Sequence, residues 1–231
     1  MHYEHIVPAV FLERPNRFIA YAQLNGQTVK CHVKNTGRCK ELLISGAPVY
    51  LQHHPDALAA GRKTEYSLIS VFKTTAAGKE LVNIDSQAPN EAAARWLASH
   101  GLSPRREVRY GDSRFDIAFD YKGKPCFLEV KGVTLEEEGI ARFPDAPTER
   151  GIKHLRELEH AAREGYGACA MFVIAMKGVR GFEANRRTHP EFAGALAHAA
   201  ANGVKILACD CLVTPDSLTV DQPVPVLSLS V

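Results

Sequence analysis

What this chain lacks narrows the field first. Its 231 residues contain no C-x-x-C pair, and the six cysteines, at positions 31, 39, 126, 169, 209 and 211, fit no metal-finger spacing. Four of them lie in apolar, strand-like stretches, so buried free thiols of a reducing compartment are expected rather than disulfides or zinc sites. No apolar run comes near the roughly 20 residues a membrane helix needs. The opening Met1-His-Tyr-Glu-His-Ile-Val7 also lacks the basic-then-apolar order of a signal peptide. A cytoplasmic address without a membrane partner follows.

A net charge of only +2 excludes a strongly basic or acidic coat. With 45% hydrophobic and 23% charged residues the composition is that of an ordinary globular protein, long enough for one good core or two modest ones. The charge is nevertheless uneven. Residues 1–82 hold ten Lys/Arg against six Asp/Glu, whereas the remainder holds 18 against 20. A basic front beside a more acidic remainder suits a phosphate-gripping module joined to a metal-binding one.

Ser113 to Lys131 is the stretch that carries chemistry. Ser-Arg-Phe-Asp-Ile-Ala-Phe-Asp-Tyr is rich in strand formers, Lys122-Gly123 supplies a two-residue turn, and Lys-Pro-Cys-Phe-Leu-Glu-Val-Lys follows. If Tyr121 faces Lys124, paired numbers sum to 245, which sets Asp116 across from Glu129 and Arg114 across from Lys131. Glu129 and Lys131 then share one face. Opposed carboxylates repel each other across a ladder, an objection that Mg²⁺ or Mn²⁺ removes, because such hard ions take carboxylate oxygens plus water. Asp116, Glu129 and Lys131 thus read as a catalytic set for metal-assisted phosphodiester hydrolysis, with the lysine stabilising charge or orienting water. The competing reading is an exposed hairpin face with ordinary ion pairs.

The D…E-V-K arrangement resembles the PD-(D/E)xK nuclease signature, with Phe115 where that motif has Pro. Flanking segments extend the likeness: Arg14-Pro-Asn-Arg-Phe18, Asn35-Thr-Gly-Arg38, Arg62-Lys-Thr64, Pro89-Asn90, Glu129-Val-Lys-Gly-Val-Thr134, Phe143-Pro-Asp145 and Thr148-Glu-Arg-Gly151. In this order they resemble the sugar fermentation stimulation protein A family over nearly the whole chain. The resemblance implies an OB-like small barrel, residues 1–82, followed by a PD-(D/E)xK nuclease-like α/β domain, residues 83–231, with a mixed sheet flanked by helices. It implies DNA binding, with control of sugar (maltose) metabolism as a possible role. It also implies that Glu91 joins Asp116 and Glu129 as a metal ligand, against the alternative that Glu91 simply favours a helix start.

Several short strands between Phe11 and Phe72, with turns at Asn25-Gly26 and Ser45-Gly46, fit a small closed barrel. Arg17, Lys34, Arg38, Lys40, Arg62 and Lys63 are placed to grip nucleic acid, with Phe18 and Tyr21 either stacking platforms or, more in keeping with so small a barrel, core. Asn90 reads as the N-cap of an Ala-rich helix from Glu91 to His100, and Thr148 as the N-cap of a helix from Glu149 to Arg163. On the latter, Ile152, Leu155 and Leu158 face the sheet, while Arg150, Lys153, His154 and Arg156 offer a basic face to phosphates or to solvent. Glu136-Glu-Glu138 reads as simply solvated. Ala168–Met176 and Val204–Val213 are buried strands, Pro190–Ala201 is a third helix, and the prolines after Asp216 permit only an edge strand.

Two functions remain: a DNA-binding protein, sequence-nonspecific, with a metal-dependent endo- or exonuclease site, and a non-catalytic DNA-binding regulator on the same fold. A carbohydrate-acting protein has no aromatic sugar platform to support it. Oligomeric state is left open, a dimer included.

Overall fold

The computed structural model describes every residue except 36, 58, 76, 77, 112, 228, 230 and 231. The N-terminal part is all β: β1 Ile6–Glu13, β2 Ile19–Leu24, β3 Gln27–Val33, β4 Pro48–His53, β5 Tyr66–Thr75 and β6 Gly78–Asn83. They run β3-β2-β1-β4-β5-β6, and a parallel pairing of β3 with β5 closes the first five into a barrel. Alternation fills it: Ala20, Ala22, Cys31, Val33, Val49, Leu51, Leu68 and Val71 are buried. Asn25 and Gly26 both adopt positive φ in the β2–β3 turn, which matches strand twist.

The second part begins with α1 Ala88–Ser99, then β7 Arg105–Tyr110, β8 Ser113–Tyr121, β9 Lys124–Val133, β10 Leu135–Glu137, β11 Ile140–Phe143 and α2 Glu149–Arg163. It continues with β12 Gly167–Ile174, β13 Gly181–Ala184, α3 Pro190–Ala201, β14 Lys205–Thr214 and β15 Ser217–Pro223. The main sheet is β15-β14-β12-β9-β8-β7, with β12 parallel to both neighbours and the outer pairs antiparallel. Alternate residues of β9 and β12 point to opposite faces. Phe127, Val133, Ala170 and Phe172 pack with Ile152, Leu155, Leu158 and Leu196 of α2 and α3. Leu128, Val130, Met171 and Val173 pack with Ala92, Ala93 and Leu97 of α1. At roughly 1.5–3 kcal/mol per buried large apolar side chain, these two layers hold the helices to the sheet.

The expected OB-like barrel followed by a mixed sheet with flanking helices is therefore the observed fold class. The structure adds a small third sheet, β10-β11-β13. It overturns the expectation of a solvated Glu136, which is buried against Lys73 of β5 while its Oε1 accepts from the Gly139 N–H at 2.6 Å. α1 starts earlier than Asn90, at Ala88, because Pro89 suits the first turn and Asp85 Oδ1 accepts from the Gln87 N–H at 3.0 Å just before it. The α2 boundaries and its Thr148 cap are as expected, with Oγ1 accepting from the Gly151 N–H at 3.1 Å. All six cysteines are free, and burial pushes the thiols of Cys31 and Cys39 up to about 12, leaving them inert. Among the described residues no helix is long and apolar enough to cross a membrane.

The two parts share contacts. Met1 and Tyr3 hydrogen-bond the β15 end at Leu218 O and Asp216 O, so the first residues belong physically with the second sheet. Lys34 of the barrel pairs with buried Asp85 at 3.2 Å.

Candidate active site at the parting of two strands

The hairpin turns at Lys122 and Gly123, both at positive φ, and the ladder has the expected sum of 245 from Tyr121–Lys124 to Ile117–Leu128. It stops there, one step short of Asp116 and Glu129. On the other side the β7–β8 ladder passes from Arg106–Ile117 to Val108–Phe115, with Glu107 in the left-handed region at φ 55°. Asp116 is thus skipped by both neighbours without a change of register, and Phe115 and Ile117 on either side of it fall into opposite core layers. Phe115 lands on the α2 face, stacked on Phe127, and Asp116 is turned towards the gap and α1.

In that gap the Asp116 carboxylate stands in for a ladder acceptor. Its Oδ2 accepts from the Val130 N–H at 2.8 Å and its Oδ1 from Asn90 Nδ2 of α1 at 2.9 Å. Burial and then the charge of Glu129 push the Asp116 carboxyl above the ordinary carboxylate range, against the pull of those hydrogen bonds and of Lys131.

Glu129, on the opposite strand, is 2% exposed and faces α2. Its Oε1 takes everything: Lys131 Nζ donates to it at 2.6 Å and His154 Nδ1 of α2 is bonded to it. Its Oε2 is buried without a hydrogen-bond partner. Burial opposes ionisation of Glu129, but His154 and Lys131 outweigh it and hold the carboxyl below its ordinary range. A buried anionic oxygen without a donor is costly and is the feature a cation would satisfy.

The remaining predicted residues are dispersed. Glu91 pairs with Arg95 at 2.8 Å one turn along α1 instead of turning to Asp116 or Glu129; its neighbour Asn90 does that. Among the described residues no group of three or more His, Cys, Asp or Glu side chains stands ready around one ion position. Arg114, expected opposite Lys131, pairs with Glu107. In the barrel, Arg17 lies over the ring of Phe18 at 5.1 Å, and Phe18 is 50% exposed, so it is surface and not core. Arg38, Lys40 and Lys63 are exposed; Lys34 is committed to Asp85, and Arg62 donates to Ser67 Oγ at 3.2 Å. Burial first, and then Arg62 and Lys34, depress His54 to about 4. On α2, Lys153 is exposed beside Glu157, and Arg150 is exposed with its Nε donating to His154 Nε2 at 3.2 Å.

Two functional candidates escaped the sequence reading. Asn90 looked like a cap, and His154 like part of a basic face offered to phosphates or to solvent. A signal for His154 existed: it lies three residues after Gly151 and four before Leu158, which puts it on the flank of the buried stripe.

Arg14 organises the segments between barrel and site. Its guanidinium donates to the carbonyls of Arg17, Asn35, Gly37 and Arg38 at 2.7–2.9 Å. A Cβ on Gly37 would lie 2.5 Å from Asp145 Oδ2, so a larger residue there would have to displace that carboxylate. Asn35, Gly37, Asp85, Pro89, Gly132 and Asp145 are among the residues lining a cavity of about 180 Å³ between the two parts.

Residues 12–84 match the SfsA N-terminal OB domain and residues 87–217 the sugar fermentation stimulation protein RE domain. The chain is 48% identical to a sugar fermentation stimulation protein homolog of Clostridium beijerinckii, covering 98% of this chain and 100% of that one. It is 50% identical to one of Desulfitobacterium hafniense, covering 94% of each. Among solved structures, SfsA of Pyrococcus furiosus in complex with Ca²⁺ superposes with a TM-score of 0.85 at 27% identity, over 98% of this chain and 97% of that one.

Proposed function

This chain belongs to the sugar fermentation stimulation protein family, and from that premise we propose that it binds nucleic acid, DNA above all, and carries a divalent-cation site for phosphodiester hydrolysis. The observation that carries the proposal is the buried, unpartnered Glu129 Oε2, on a residue whose charge, together with burial, makes the Asp116 carboxyl of the facing strand hard to ionise. The residues fit the ion. Both donors are hard oxygens suited to Mg²⁺ or Mn²⁺, and the Pyrococcus relative is described with Ca²⁺, another oxygen-seeking cation.

Glu129 and Asp116 would hold the cation, leaving other positions to water and substrate oxygen. Bound there, the ion would polarise the phosphoryl group and lower the pKa of attacking water. Lys131 Nζ, 2.6 Å from Glu129 Oε1, would stand where it could stabilise negative charge developing on phosphorus. Asn90 and the Val130 N–H fix the Asp116 carboxylate, so it needs no reorganisation to serve. Exposed Arg17, Arg38, Lys40 and Lys63 would grip the backbone without reading sequence, and Phe18 offers a face for an unpaired base. Free, unreactive thiols suit a reducing cytoplasm.

The test is incubation of labelled single- and double-stranded DNA and RNA with Mn²⁺ or Mg²⁺, beside Asp116→Ala and Glu129→Ala. The expected result is metal-dependent cleavage by the wild-type protein and none by either variant, with binding retained. Mn²⁺ should also raise the wild-type Tm and leave both variants unmoved. No cleavage together with an unmoved wild-type Tm would defeat the nuclease reading. A second reading has its own support: both Asp116 oxygens already have donors and Lys131 is ion-paired, as in a site kept only for structure. On that reading the protein is a non-catalytic DNA-binding regulator, acting on the sugar fermentation named in its relatives through binding alone.

A further inference from the structure

His154 has a hydrogen-bonding position that assigns its tautomer. Arg150 Nε has only a hydrogen to give and points at His154 Nε2 at 3.2 Å, so Nε2 must supply a lone pair. The ring hydrogen then sits on Nδ1, the nitrogen bonded to Glu129 Oε1. Lys131 Nζ lies 3.3 Å from the same Nδ1 and 2.6 Å from the same Oε1. With Nδ1 already carrying a hydrogen, that nitrogen pair is two donors meeting at one acceptor. The opposite tautomer would gain only the Lys131 donor at 3.3 Å on Nδ1, while setting that lone pair against a carboxylate oxygen and a hydrogen on Nε2 against the Arg150 donor. The Nδ1–H form is favoured on both sides.

The consequence is asymmetric. Oε1 of Glu129 is taken by two donors from one side, and Oε2 is left bare and buried. We propose that His154 is a positioning residue for the cation site: held by Arg150 as the Nδ1–H tautomer, it occupies Glu129 Oε1 and so reserves Oε2 for a divalent ion. This rests on the assignment of Asp116 and Glu129 as cation ligands. His154 touches neither substrate nor ion; it acts through Glu129. Partners that orient a ligating carboxylate are typically worth about 10–100-fold in metal affinity.

The experiment uses the full chain, with Mn²⁺ alone as probe, measured by calorimetry and by the Mn²⁺ electron paramagnetic resonance signal. Long-range ¹H–¹⁵N spectra of the imidazoles read the tautomer without any metal. The expected outcome is a hydrogen on His154 Nδ1, and Mn²⁺ affinity about 10–100-fold weaker in His154→Ala. His154→Asn, whose amide N–H can take the Nδ1 place, should restore most of that affinity. Rescue of this kind separates positioning from space-filling, and circular dichroism verifies that each variant is folded. If His154→Ala fails to fold, the asparagine variant and the tautomer decide. A wild-type protein that binds Mn²⁺ while His154→Ala binds it equally well would overturn the inference alone. So would a hydrogen found on Nε2, or an asparagine variant as weak as a folded alanine one. A wild-type protein that binds no Mn²⁺ would overturn the cation site itself, and this inference with it.

Discussion

At the scale of single residues the site is a pair of acids in opposite electrostatic situations. Glu129 is held below the ordinary carboxylate range by His154 and Lys131; its contribution to stability is present at neutral pH and fades only as pH falls through that depressed value. Asp116 is the reverse. Its folded carboxyl titrates above its unfolded one because of burial and the Glu129 charge, so the folded state binds the extra proton and gains stability as pH falls towards the ordinary range. Wild-type protein without metal should therefore gain stability relative to Asp116→Ala as the pH is lowered from 7 to about 4, the ordinary aspartate value. Urea unfolding of both proteins at the two values measures it, and a constant difference would show that Asp116 is not strained by its neighbours.

At the scale of elements, two helices on opposite faces of one sheet each send a side chain to the place where β8 and β9 part. α1 delivers Asn90 and α2 delivers His154, and neither can do so unless its start is held. The close seat of α1 depends on Gly132, where a Cβ would come within 2.7 Å of Pro89 Cγ. A proline ring in a first turn cannot swing aside as a flexible chain end could. Gly132→Ala should destabilise the fold by about 1–3 kcal/mol, as overpacking does, and shift Asn90 from Asp116. Denaturant unfolding gives the first quantity. Loss of the Asn90 side-chain amide shift typical of a carboxylate bond would report the second.

At the scale of the whole molecule, the barrel and the sheet are clamped by Lys34–Asp85 and Lys73–Glu136, while the four-carbonyl fork of Arg14 braces loops within the N-terminal part. These commitments divide the basic residues into structural ones and exposed ones. Lys34 is internal; Arg17 and Arg38 remain on the surface. Because each phosphate neutralised releases counterions, the double variant Arg17→Ala/Arg38→Ala should flatten the slope of log affinity against log salt by about 0.9 per contact on duplex DNA, roughly two in all. Lys63→Ala should remove at most one such unit by the same rule. An unchanged slope in the double variant would take this face of the barrel out of the nucleic-acid interface.

How much of this was legible in the chain differs by feature. Local periodicity and turn chemistry determined the barrel strands, the hairpin with its 245 register, the Thr148 cap and the buried strands, since those depend on neighbours in sequence. Sequence alone also brought Glu129 and Lys131 to one face, because alternation along a strand admits no other result. What only the tertiary structure decided was the last step. The break in pairing at Asp116 and the choice of Asn90 over Glu91 arise from packing between segments far apart in the chain, as do the inward turn of His154 and the burial of Glu136. No local pattern encodes which of two neighbouring polar side chains will meet a carboxylate from another element. That is set by how closely a helix can approach its sheet, and here by a glycine facing a proline.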